Sequence, residues 1–385
     1  MSVSLLAIVA LVALWGQSVL FRRRGLKRLD YRRKFDRDFC VEGDMVEMQE
    51  HIVNDKALPL PWLRLEALLS SGLQFVSQEN LSIASGARLQ NHRSLFSLWG
   101  YTEVIRQHKV CCVRRGCYDL ETVTLSCGDL FGISQSVRTD RVNQRLLVYP
   151  RSVPVEELPL PWRGWQGEFA VKRWMVEDPY LMLGVREYRS GDSLRSIHWK
   201  ATSRTGQLQV REHGYTADRR LMILLNIAEK EDMWAEVNEE ALLEWGIRCA
   251  LTLVEQALAE GMPVGFGCNA PTVDEPETSI RLAPGAGNVH HKQVLDAMAQ
   301  LKLEQQVHFA EYLRLEGERL EDSCDYVLIS AYKSPLLEEQ MQALEEQGSK
   351  VLLLPLERER AAGAGDKHQR DPSQSGSAAG QAQVG

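Results

Sequence analysis

The chain has 385 residues, 44% hydrophobic and 25% charged, which suits two domains with accessory segments and excludes a wholly disordered polymer. Its formal net charge of -7 argues against a general nucleic-acid binder, although basic residues crowd the N-terminal part. Eight cysteines occur without a CxxC pair or a Cys/His zinc spacing, so buried reduced thiols in a reducing compartment are expected.

Residues 2–21 form an uncharged, mostly apolar run, about the length that crosses ~30 Å of hydrocarbon as a helix. No Lys or Arg precedes the run, whereas Arg22, Arg23, Arg24, Lys27, Arg28, Arg32, Arg33 and Lys34 follow it, the reverse of a cleavable signal peptide. The run is therefore expected to be a transmembrane anchor (1–21) with a basic juxtamembrane segment (22–37). The positive-inside rule then predicts a single-pass protein of the inner (cytoplasmic) membrane, with the bulk of the chain in the cytoplasm. The basic cluster is expected to set topology, with anionic lipid as its alternative partner.

Between residues 38 and 150, short apolar stretches alternate with turn signals such as Glu42-Gly43-Asp44 and Cys127-Gly128-Asp129. Strands are expected at 45–53, 62–69, 95–99, 102–113 and 121–125. Together they predict an all-β, immunoglobulin-like sandwich of about seven or eight strands. Prolines 150, 154, 159 and 161 with Trp162 and Trp165 then argue for an extended linker, which opens a segment running to residue 219.

The densest polar stretch is GVREYRSGDSLRSIHWKATSRTGQLQVRE, residues 184–212. Arg186, Glu187, Tyr188, Gly191, Asp192, Arg195, His198, Trp199, Lys200, Arg204, Arg211 and Glu212 crowd together here. Neighbours of opposite sign (Arg186 with Glu187, Asp192 with Arg195, Arg211 with Glu212) predict a self-neutralising network, or else a partner surface. Thr205-Gly206 reads as a turn, and 207–212 as a strand with Leu208 and Val210 on one face. A catalytic reading would make His198 a base beside Asp192 or Glu187, with Ser193, Ser196 or Ser203 as nucleophile. No GxSxG turn surrounds these serines, so no catalytic residue is assigned. Phosphate or nucleic-acid binding by the basic residues is opposed by Glu187, Asp192 and Glu212.

After this stretch, 221–225 reads as a strand covered on both faces and is followed by a periodic helix capped by Asn238 and closed by Gly261. Strands at 263–268, 326–329 and 351–354 and helices at 288–301 and 334–347 continue the alternation, predicting an α/β domain (220–358) with a parallel sheet. Ser330 falls at the carboxyl end of one strand, where ligands gather in open α/β sheets, and Glu229, Glu231 and Asp232 read as a solvated loop. Residues 359–385, rich in Gly, Ala, Ser and Gln, read as a disordered tail.

The run REYRSGDSLRSIHWKATSRTGQLQVRE resembles the signature of the domain of unknown function 58 family, with Tyr149-Pro150-Arg151 and Gly167 before it and the 221–225 strand after it. The resemblance implies membrane helices, a β-rich region and a von Willebrand factor A-like (Rossmann-like) C-terminal domain. It also implies companionship with MoxR-type AAA+ ATPases and transglutaminase-like membrane proteins. In von Willebrand A-like domains a DxSxS run after the first strand usually holds a divalent metal. Here Asn226, Ala228 and Lys230 stand at those positions, so neither metal nor cofactor is expected. The expected function is a non-enzymatic, membrane-anchored adaptor for assembly or maturation of a protein complex. Its alternatives are a hydrolase using the His198 region, or binding of anionic lipid or nucleic acid through the basic clusters.

Overall fold

The computed structural model describes residues 3–76, 81–85, 89–158, 177–189, 196–215, 220–231, 237–319 and 324–358; the side chains of 3, 4, 6, 81–85, 177–183 and 211–215 fall outside that description. Within it the chain forms two compact units. One comprises Met1–Arg151 with Thr272–Asp274 and Leu295–Leu301, the other Ser152–Pro271, Glu275–Val294 and Lys302–Gly385.

The first unit opens with α1 (Val3–Arg24). Among the described residues no helix is long and apolar enough to cross a membrane, which overturns the expected transmembrane anchor and, with it, the single-pass inner-membrane placement. The last turns of α1 belong to the β-rich body. Phe21 is buried, Ser134 Oγ donates to the Ser18 carbonyl at 3.1 Å, and Ser136 Oγ donates to that of Arg22 at 3.1 Å. That docking leaves fewer than the roughly 20 free apolar residues a crossing needs. The basic stretch is also not a plain juxtamembrane segment, because β1 (Leu29–Phe35) runs through it with Leu29, Tyr31, Arg33 and Phe35 inward.

Nine more strands follow: β2 (Phe39–Val41), β3 (Met45–Asn54), β4 (Leu60–Ser70), β5 (Leu73–Phe75), β6 (Leu81–Ser85), β7 (Leu89–Leu98), β8 (Thr102–Cys112), β9 (Gly116–Gly128) and β10 (Gln135–Tyr149). They form a four-stranded sheet, β1-β3-β8-β5, and a six-stranded sheet, β2-β10-β9-β4-β7-β6. The expected strands 45–53, 62–69 and 121–125 fall inside longer ones, 95–99 and 102–113 each run one residue past the ends of β7 and β8, and the total exceeds the expected seven or eight. Inward residues of both sheets share one apolar cluster around Phe35, Met48, Phe75, Val110 and Leu146 and a second around Leu29, Ile52, Leu63 and Val123, so the core lies between the sheets.

The second unit contains an antiparallel pair, β11 (Glu177–Glu187) and β12 (Gln209–Tyr215), with α2 (Trp199–Thr205) between them in the chain. Next come β13 (Arg220–Leu225), α3 (Glu240–Ala259), β14 (Val264–Pro271), β15 (Ser279–Gly285), α4 (Gly287–Gln300, of which the part from Leu295 is assigned to the first unit), α5 (Phe309–Glu318), β16 (Cys324–Ser330), α6 (Pro335–Glu346) and β17 (Val351–Pro355). The sheet order is β15-β14-β13-β16-β17. β14, β13, β16 and β17 run parallel, and β15 is an antiparallel edge. β13 is apolar throughout from Leu221 to Leu225 because strands flank it on both sides and it is buried on both faces. β11, β15, α2 and α5 have no counterpart among the expected elements. The cap of α3 is Glu239 rather than Asn238, and its N–H donates to Glu229 Oε1 at 2.5 Å. Glu229 is thereby buried, not solvated.

Candidate functional site

Two loci in the second unit hold the residues singled out above. The first is the hairpin of β11 and β12. Arg186 and Glu187 lie on β11 opposite Val210 and Gln209, and Tyr188 N–H donates to the Leu208 carbonyl at 2.9 Å. Arg186 Nη1 donates to the backbone carbonyl of its neighbour Glu187 at 3.2 Å. Gly191, Asp192, Arg195 and Ser193 lie outside the described residues, as do the side chains of Arg211 and Glu212, so their expected ion pairs and the Asp192–His198 dyad do not enter this description.

His198 is the N-cap of α2: its Nδ1 accepts the Ala201 N–H at 3.1 Å, and its carbonyl accepts the Thr202 N–H at 3.0 Å. A ring nitrogen fixed in a cap orients the helix start, because a cap acceptor satisfies a backbone donor that the helix itself leaves open. Thr202 Oγ1 accepts the Gln209 N–H at 3.0 Å, and Gly206, at φ 73°, closes the helix in the left-handed conformation that glycine adopts without strain. The outcome is a short helix pinned at both ends, with Trp199 67% exposed and Lys200, Ser203 and Arg204 exposed beside it. Val210 is buried on β12, whereas Leu208, expected on the same strand face, precedes β12 and is exposed.

The second locus is the carboxyl edge of the parallel sheet. From β13 the chain crosses to β14 on one side and later to β16 on the other, which makes the end of β13 a topological switch point. Asn226, Asn269 and Ser330 meet there, and all three are buried. Asn226 Nδ2 donates to Ser330 Oγ at 3.0 Å, and Asn269 Nδ2 donates to Asn226 Oδ1 at 3.1 Å. Asn226 Oδ1 also accepts the Ala228 N–H at 3.0 Å, Asn269 Oδ1 the Ile227 N–H at 2.9 Å, and Ser330 Oγ donates to the Tyr332 carbonyl at 2.8 Å. The cluster is neutral and each amide uses both its oxygen and its nitrogen, so it locks the loop after β13 onto the neighbouring strands. Ala228 is buried and Lys230 exposed. Burial pushes the Tyr332 phenol upward, opposed by hydrogen bonding with Asn226. Asn269 was missed in the sequence, where its only signal is a polar residue following an apolar strand, the pattern that Asn226 and Ser330 share.

Among the described residues, no group of three or more His, Cys, Asp or Glu side chains is arranged to hold a metal ion. The first unit does hold a buried ionic cluster that sequence reasoning also missed. Glu50 accepts from Tyr31 Oη at 3.0 Å and Arg33 Nη2 at 2.5 Å, and its other oxygen lies 3.1 Å from His108 Nε2. Despite burial, hydrogen bonding with His108 and the charge of Arg33 hold the Glu50 carboxyl well below the usual carboxylate range.

Comparison with known proteins adds family context without chemistry. The uncharacterized protein YeaD of Bacillus subtilis (strain 168) is 20% identical over 205 residues, 52% of this chain and 48% of that protein, so the chain spans about half the length of the curated relative it matches. A non-cellulosomal cohesin from Archaeoglobus fulgidus is 12% identical, with a TM-score of 0.22, over 34% of this chain and 94% of its own. Spo0M, a sporulation control protein from Bacillus subtilis, is 11% identical, with a TM-score of 0.18, over 42% of this chain and 58% of its own. Residues 184–358, which carry both loci of the second unit, match the family described as "Protein of unknown function DUF58".

Proposed function

We propose that the chain is a non-enzymatic adaptor that presents a protein-binding surface on α2. The observation that carries this reading is Trp199, 67% exposed on a helix held by the His198 cap and the Thr202–Gln209 bond. A large aromatic side chain on a pre-organised support, flanked by Lys200 and Arg204, has the character of a binding hot spot. The engagement of His198 Nδ1 and of the Asn226–Asn269–Ser330 cluster within the fold favours a structural over a chemical role for both loci. On the family resemblance, the proposed partner is a MoxR-type AAA+ ATPase, with a transglutaminase-like protein as a further one, in assembly or maturation of a protein complex. On the same ground the α/β unit is taken as von Willebrand A-like, with its metal positions replaced by Asn226, Ala228 and Lys230.

Binding of the purified full chain to a purified MoxR-type ATPase, followed by fluorescence anisotropy, tests the proposal. Trp199→Ala is expected to weaken binding at least about tenfold while leaving the circular dichroism spectrum unchanged. Equal affinity of the variant, or no complex with the parent chain, overturns it. Substrate turnover abolished by His198→Gln would favour a hydrolase instead.

A further inference from the structure

The first unit contains a pair of thiols placed for a covalent change that its reduced fold does not use. Cys40, on β2, and Cys112, at the end of β8, are both buried in the apolar cluster between the sheets, with their sulfurs 3.4 Å apart. The backbone already holds the two positions together. Gly43 N–H donates to the Cys112 carbonyl at 2.7 Å, Cys112 N–H donates to the Asp44 carbonyl at 3.0 Å, and Gly43 turns the chain at φ 90°. Cys40 also sits in register with Val148 on β10, so the sulfurs face each other across the gap between the two sheets.

We infer that Cys40 and Cys112 form an oxidation site: exchange with a small-molecule disulfide links them and staples the six-stranded sheet to the four-stranded one. The sulfurs must close by little more than 1 Å to reach the ~2.05 Å of a disulfide. Because β2 is a three-residue edge strand paired on one side to β10, its local opening is the natural route by which a buried thiol meets the reagent. In the closed state hydrogen bonding with Cys40, then burial and nearby negative charge, push the Cys112 thiol up, which protects the pair until the edge opens. Cys111 is half-buried and, by strand alternation, projects from the opposite face of β8, so it does not compete for Cys40.

In the exchange, one cysteine gives its proton to water and its thiolate attacks the disulfide RSSR, forming a mixed disulfide and releasing RS⁻. The second thiolate then attacks the protein sulfur of that mixed disulfide and releases the other RS⁻. The pair loses two electrons, RSSR gains them, and two RSH result.

The test incubates the full chain with oxidised glutathione, alkylates the remaining thiols and maps linked peptides by mass spectrometry. A Cys40–Cys112 peptide is expected in the parent and in Cys111→Ser, and is absent from Cys40→Ala and Cys112→Val. The linked chain should unfold about 5–15 °C higher than the reduced chain, a shift lost in the two latter variants. Should those variants not fold, the linkage map of Cys111→Ser still decides. Alkylation of both Cys40 and Cys112 at equilibrium, a link through Cys111, or a linked chain that melts no higher would each overturn the inference.

Discussion

Glu50 concentrates the residue-scale energetics of the first unit. It is almost wholly buried, bonded to Tyr31 and Arg33, and in reach of His108. Removing one partner of such a pair leaves the other charge uncompensated in a medium that cannot solvate it. Glu50→Ala is therefore expected to destabilise the first unit by about 3–5 kcal/mol, read from its urea unfolding midpoint. His92 adds a pH dependence. It is buried with its ring 4.1 Å from that of Phe75, and burial, then the charges of Arg33 and His108, push its pKa down from 6.5 to about 4, against the opposing pull of Glu50. As pH falls below 6.5 the unfolded chain takes up a proton that folded His92 refuses, so stability declines between 6.5 and about 4. Glu50 acts with the same sign at lower pH: its depressed pKa contributes stability above 4.5 that is lost as the carboxylate protonates. His92→Phe should flatten urea midpoints between pH 6.5 and 4.5 and leave the Glu50-linked loss below 4.5. A parent chain whose midpoint is constant from pH 7 to 5 would refute this assignment.

At the scale of elements, β14 shows how one missing side chain fixes a sheet. A Cβ on Gly265 would come within 2.7 Å of the Leu282 backbone carbonyl on β15 and against Met222 Sδ on β13, and a carbonyl held in a ladder cannot give way. Gly265→Ala should thus cost about 1–3 kcal/mol in the second unit, by calorimetry, with Met222→Ala in the same chain relieving only the sulfur contact. Elements of this unit were legible where their pattern was local. The apolar runs of β13, β16 and β17 and the stripe of α3 announce themselves, as does Ser334-Pro335, whose serine Oγ accepts the Leu337 N–H of α6 at 3.3 Å. β1 was hidden because Arg33 reads as solvated until Glu50, on another strand, is known to lie opposite it. β15 is an edge strand with Ile280 as its one buried residue, so no apolar run marks it, and α2 is seven residues long and begins on a histidine cap that no common capping pattern marks. Of the site residues, Asn226 and Ser330 could be singled out from their positions after apolar strands, but only the sheet order brings Asn269 to them.

For the whole molecule, the sequence suggested a chain suspended from a membrane helix. The docked end of α1 replaces that picture with a helix whose last turns belong to a ten-stranded body. The α/β unit has its own apolar core, with Met222, Phe309, Tyr312, Leu328 and Leu344 among its members, none of them shared with the clusters of the first unit. Cooperative units in proteins follow such contiguous cores, so local opening should respect the boundary between them. Native-state hydrogen exchange on the full chain provides the test. Glu50→Ala should accelerate exchange along β1, β3 and β8 while β13, β14 and β16 keep the parental rates, and Gly265→Ala should do the converse. If either substitution speeds both sheets equally, the two cores open as a single cooperative unit.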